Sequence, residues 1–155
     1  MNTRRKTTTF VFIFIFLVAF VVYTIFFKVR GAALDYWQPS PSDVVRQYFV
    51  SWGAKDYANM YATISDGFKS IETTAKDFES FKYYVDSQVV DALKIISVKE
   101  QRKDGTTAVV DYAITFTTAG KRQQFSGSFT LKYRIGDVIQ GWKLIHPYGD
   151  AIDTT

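Results

Sequence analysis

No cysteine occurs among the 155 residues. Disulfide frameworks, thiolate catalysis, cysteine-ligated zinc or iron–sulfur sites and a lipid anchor on an N-terminal cysteine are therefore excluded. Histidine is nearly as scarce: His146 is the single one, so a two-histidine metal pair or mechanism is impossible within one chain. There is no G-x-G-x-x-G, P-loop, H-E-x-x-H or calcium-loop pattern, and neither a cofactor nor a metal is expected. Acidic residues are missing from the first 30 positions, where Arg4, Arg5, Lys6, Lys28 and Arg30 carry all the charge. The other 14 of the 19 Lys/Arg face all 15 Asp/Glu, so the +4 of the whole chain belongs to its N-terminal part. A domain that grips a phosphate backbone carries a basic face of its own, and residues 31–155 show no basic run. This argues against a nucleic-acid partner.

What is present begins with Phe10 to Phe27, 18 residues without a charge and with half of the 14 phenylalanines. As a helix rising about 1.5 Å per residue it covers roughly 27 Å, close to the hydrocarbon thickness of a bilayer. Both phases of any strand alternation are apolar here, so length decides for a membrane helix in contact with lipid. A cleaved signal peptide competes, with Arg4–Lys6 as its basic start and Gly31-Ala32-Ala33 as small residues. The apolar run exceeds the usual h-region, however, and Lys28 and Arg30 intervene before any cleavage site. The expectation is an uncleaved single-pass anchor in the cell membrane. Three basic residues precede the span and two follow it, a small bias toward a cytoplasmic N-terminus and an extracytoplasmic domain. The expected organisation is a basic cytoplasmic tail over 1–9, the transmembrane helix over 10–27, a linker over 28–40, an α+β domain over 41–150 and a tail over 151–155. Tyr36 and Trp37 in the linker either sit at the membrane interface or pack on the first helix.

Ser40-Pro41-Ser42-Asp43 has the form of a capped helix start, and Val44, Val45, Tyr48, Phe49 and Trp52 make an apolar stripe ending at Gly53. A second helix is expected over Lys55–Ser65, broken by Asp66-Gly67. A third opens with a Thr74/Asp77 capping box and carries Phe78, Phe81, Tyr84 and Val85. From there the period changes to two. Lys94–Gln101 alternates weakly toward an Asp104-Gly105 turn. Ala108, Val110, Tyr112, Ile114 and Phe116 alternate with polar or small residues, as do Phe125, Gly127, Phe129, Leu131 and Tyr133. Trp142–His146 is a last short strand, and Gly127 predicts a bend or bulge. Helices first and a meander after is the order of an α+β domain.

The F-x-x-W-x-x-x-D-Y pattern of Phe49, Trp52, Asp56 and Tyr57, then a Met-Tyr helix, the K-D-F-x-x-F of Lys76, Asp77, Phe78 and Phe81, and a closing G-W-K-L at Gly141–Leu144 resemble the nuclear transport factor 2-like superfamily. Within it the chain is most similar to the non-catalytic N-terminal domain of class B penicillin-binding proteins, which also follows one membrane helix. The resemblance covers about residues 40–148. It implies a cone-shaped domain, about three helices on a curved four-stranded antiparallel sheet. It implies no chemistry: no S-x-x-K, S-D-N or K-T-G set occurs, the transpeptidase domain is not expected, and penicillin binding does not carry over. The architecture also resembles the membrane-anchored assembly factor of type IV secretion systems. The resemblance thus implies a non-catalytic interaction or scaffold module with a protein partner in the cell envelope. For that partner Thr115, Thr117, Gln124, Ser126 and Ser128 would supply a neutral polar contact surface, and because members of the superfamily often pair through their sheets a homodimer is also expected.

Members that are enzymes use a His or Asp inside the cone. His146 follows Trp142 and Leu144 in alternation, which sends it to their face, and Asp111 is the carboxylate that could orient it as a general base. The alternative has His146 hydrogen-bonded at the strand end beside Pro147, and Asp111, out of phase with Tyr112, in solvent. Candidates to line a pocket are Tyr48, Trp52, Tyr61, Tyr112, Phe129 and Trp142, which could equally fill a small core.

Overall fold

In the computed structural model the described residues are 38–145, together with Phe20 and residues 22–24. Phe20 and residues 22–24 are helical and exposed, but most of the Phe10–Phe27 run lies outside the described residues. Among the described residues no helix is long and apolar enough to cross a membrane. Contacts divide the chain after Gln38, and the fold below is that of the second unit, which begins at Pro39.

Helix α1 spans Pro41–Gly53 and starts as its sequence directs. The Asp43 amide donates to the Ser40 hydroxyl at 3.2 Å, and the Ser40 amide donates back to the Asp43 carboxylate at 3.1 Å. Such a cap is worth about 1 kcal/mol. Val44, Val45 and Phe49 form its buried stripe against Val98, Ala108, Val110, Ile114, Leu131, Trp142 and Leu144 of the sheet. Each such side chain contributes roughly 1.5–3 kcal/mol by leaving water. A second cluster joins Met60, Ile64, Ala75, Phe81 and Val85, and Tyr48 and Trp52 touch both.

The second expected helix, Lys55–Ser65, is shorter than expected, and an unexpected one follows it. Helix α2 spans Tyr57–Ala62, capped by Asp56, and α3 spans Asp66–Ile71, capped by Ser65, whose hydroxyl accepts from the Phe68 amide at 3.0 Å. Asp66-Gly67 therefore opens a helix instead of ending one, because Ser65 supplies the oxygen that the first-turn amides need. Helix α4 spans Phe78–Ser87, making four helices among the described residues from Pro39 onward rather than three. Its cap is Asp77 itself, accepting from the Ser80 amide at 2.7 Å, while Thr74 donates to Glu72. Only Phe81 and Val85 of its stripe are buried.

Four antiparallel strands follow in the order β1-β2-β3-β4: Asp91–Asp104, Thr107–Thr118, Lys121–Arg134 and Gly141–Leu144. Strand β1 is longer than its alternation suggested, because register shifts at Asp91/Lys94, Ile95/Ser97 and Glu100/Arg102 interrupt the period. Gly127, by contrast, sits in an unbroken ladder opposite Tyr112, so no bulge exists there. Glycine is needed because a Cβ would lie 2.9 Å from the Tyr112 hydroxyl oxygen and 3.1 Å from Cζ. Beyond β4 a parallel bridge joins Ile64 to Leu144, with the Leu144 amide donating to Thr63 and its carbonyl accepting from Ser65.

Candidate functional site

The aromatic residues expected to line a pocket separate into two groups. Tyr48, Trp52, Tyr112 and Phe129 come together with Phe49, and the Tyr112 and Phe129 rings stack at 4.7 Å between centroids. Ring on ring, they fill the space between α1 and the sheet. Burial, then the neighbouring Tyr112 and Tyr84 hydroxyls, push the Tyr48 hydroxyl well above its ordinary pKa. Trp142 lies further along the same core, edge-on to Tyr133 at 5.7 Å and beneath the Lys103 amine. Tyr61 belongs to the other cluster and donates its hydroxyl to the Ala75 carbonyl at 3.0 Å.

Asp111 stands opposite Ser128 in the ladder and accepts from its hydroxyl at 2.5 Å, out of phase with Tyr112 and the helix-covered face. His146 lies outside the described residues. Of the polar surface expected on the sheet, Gln124, Ser126 and Ser128 are exposed, but Thr115 is only 6 % exposed, between Lys94 on β1 and Gln124 on β3. Among the described residues no group of carboxylates or histidine is arranged to hold a metal ion.

The structure builds a different site. A cleft of about 460 Å³ opens between α2, the start of α4, the β3–β4 loop and β4. Tyr61, Ala62 and Phe78 wall one side, and Val138 and Ile139 of the loop wall the other. Two carboxylates pin that loop. Asp137, 8 % exposed, accepts from the Asp66 amide at 3.0 Å and from Arg134 Nε at 3.1 Å. Asp66 returns the favour by accepting from the Val138 amide at 2.8 Å and from Lys69 Nζ at 2.9 Å. Each hydrogen bond to such a charged group is worth about 1.5–3 kcal/mol at buried positions. The clamp holds Val138 and Ile139 in water at 93 % and 58 % exposure.

Lys143 reaches the cleft from β4. Alternation places it opposite Trp142 and Leu144, yet it is 6 % exposed, and its amine donates to the Ala62 carbonyl. Burial lowers its pKa, the Lys69 charge lowers it further, and Asp137 and Asp66 pull the other way without restoring it. Burial also raises the Asp66 carboxyl, but the bonds from Lys69 and the Val138 amide and the charges of Lys69 and Lys143 outweigh it, leaving it below its usual value. Sequence reading missed this cleft. Asp66-Gly67 and Gly136-Asp137 look like ordinary turns, and nothing local announces that they bond each other across 71 positions.

No protein-family profile matches the sequence, and no curated protein does. Solved structures do resemble the fold. A SEC-C motif containing protein from Psychrobacter arcticus superimposes with a TM-score of 0.50 at 11 % identity, over 68 % of this chain and 58 % of that one. At that identity the likeness is one of fold alone, an α+β unit with an open four-stranded antiparallel sheet.

Proposed function

We propose that this chain is a single-pass membrane protein whose α+β domain, of the nuclear transport factor 2-like kind, stands outside the cytoplasm as a non-catalytic interaction or scaffold module in cell-envelope or secretion assemblies. The observation that carries the reading is the uncharged Phe10–Phe27 run, flanked by five basic residues and followed by a domain with no basic run of its own. Surface chemistry supports it. Ile135, Val138 and Ile139 are all more than half exposed on one loop, an apolar grouping of the kind that marks contact surfaces. The catalytic alternative finds less support, since Asp111 is out of phase with Tyr112 and bonded to Ser128, on the face opposite the one alternation gives His146.

The test is site-specific photocrosslinking in native membranes, with the probe at Val138 or at Asn59, an exposed position on α2. A defined envelope-protein adduct from Val138 and none from Asn59 is the expected result. Adducts no different from background at both positions would contradict the scaffold reading.

A further inference from the structure

The cleft combines apolar walls with one cation, Lys143, that has no ion-pair partner among the described residues. Lys69 pairs with Asp66 at 2.9 Å and Arg134 with Asp137 at 3.1 Å. Lys143 is left over: among the described residues no carboxylate lies within ion-pair distance of its amine. One of its three N–H groups is used by the Ala62 carbonyl. A buried ammonium ordinarily has a charged partner, because desolvation costs it several kcal/mol. Lys143 itself lines the cleft. The apolar part is equally deliberate in construction. Val138 and Ile139 would gain by burying themselves, yet the Asp66–Asp137 exchange holds them apart from Tyr61 and Phe78 and keeps the cleft open.

We infer that this cleft is a binding site for small amphipathic carboxylates, with an aryl or short acyl body between Phe78, Tyr61, Val138 and Ile139 and a single carboxylate on the Lys143 amine. A monoanion fits because a single cation lacks an ion-pair partner among the described residues, and the nearby Asp66 and Asp137 repel a second charge. About 460 Å³ is within the range of small-molecule sites and leaves ample room for a body of ten or so heavy atoms. The site does not depend on the membrane or scaffold reading, and it leaves the ring-filled space between α1 and the sheet unused.

The experiment is titration calorimetry of the full chain in zwitterionic lipid nanodiscs with three matched probes: 3-phenylpropionate, 3-phenylpropan-1-ol and 3-phenylpropylamine. Empty nanodiscs supply the partition background. The carboxylate is expected to bind with a dissociation constant of roughly a millimolar, as its size allows, and about tenfold more tightly than the alcohol or the amine. Lys143→Met removes the preference while keeping alcohol binding. Val138→Glu, at an exposed position, sets a negative charge at the mouth and weakens the carboxylate about tenfold while leaving the amine unweakened. Equal binding of the three probes, no binding of the carboxylate at about 10 mM, or a preference that survives Val138→Glu would each overturn the assignment.

Discussion

Strand β1 runs 14 residues along one edge of the sheet with a single buried side chain, Val98, whereas β4 at the other edge is four residues long and buried at every one. The long edge is defended by its own irregularity. Three register shifts bend it, Lys94, Lys99, Arg102 and Lys103 line it, and Arg46 of α1 donates to the Val98 carbonyl at 3.2 Å. Bulges and lysines are how an exposed edge avoids pairing with another chain. The short edge is defended by cover. Residues 63–65 bond to Leu144 from outside and cover that end of β4. An edge that repels partners can be soft; an edge that is covered must be packed. The cleft grows at the covered edge because packing there fixes Lys143 and the loop carrying Val138.

The sharpest way to break this contrast is to truncate one apolar side chain on each edge. Leu144→Ala, at a residue 4 % exposed, is expected to cost about 3 kcal/mol by denaturant unfolding, against less than about 0.5 kcal/mol for Ile96→Ala on β1 at 54 % exposure. Comparable losses would mean that β1 is packed after all. Asp137→Ala removes the acceptor of the Asp66 amide and of Arg134 and is expected to cost about 2 kcal/mol. It should also speed amide exchange at Asp66 while leaving β1 unchanged. Gly127→Ala probes the centre of the sheet between the edges. Its methyl must displace the Tyr112 ring, which is stacked on Phe129, at an expected cost of about 1–2 kcal/mol.

Smaller effects sharpen the comparison further. Ala119 and Gly120 form the two-residue β2–β3 turn with φ of 48° and 74°, the left-handed pair that tight hairpins require. Ala119→Gly relieves the strained position and is expected to stabilise by about 0.5–1 kcal/mol, less than the strain itself because glycine also frees the unfolded chain. Lys143 supplies a pH signature confined to the covered edge. Its folded pKa is depressed below 10.5, so above that folded value and up to 10.5 the unfolded chain holds more protons than the native one. Stability contributed by this group therefore rises with pH through that window. Lys143→Met should abolish the rise in unfolding titrations at alkaline pH, and an unchanged slope would contradict burial of the amine.

How much of this could be read from the residues depended on whether the cause was local. The start of α1 was legible because Ser40 and Asp43 bond each other three positions apart. The inward phase of β2 and β3 was legible because their ladder runs without a shift from Thr107–Lys132 to Thr118–Lys121. Strand β1 was harder, since each bulge resets its alternation. Asp66-Gly67 misled because a helix breaker and a capped helix start share the same residues, and only the Ser65 geometry tells them apart. Thr115 and Lys143 both occupy outward phases and are both buried, by cross-strand neighbours in one case and by a segment 81 positions earlier in the other. The cleft was illegible for that reason: Asp66, Asp137 and Lys143 meet only through the cover on β4.

The central claim, a membrane-anchored domain facing away from the cytoplasm, is open to one direct measurement because the chain has no cysteine. A single Asn59→Cys variant places a thiol at an exposed helical position. Intact cells would be treated with a membrane-impermeant maleimide and their membranes then extracted with alkaline carbonate. The account predicts a labelled protein that stays in the membrane pellet. A protein labelled only after permeabilisation, or released by carbonate, would contradict it.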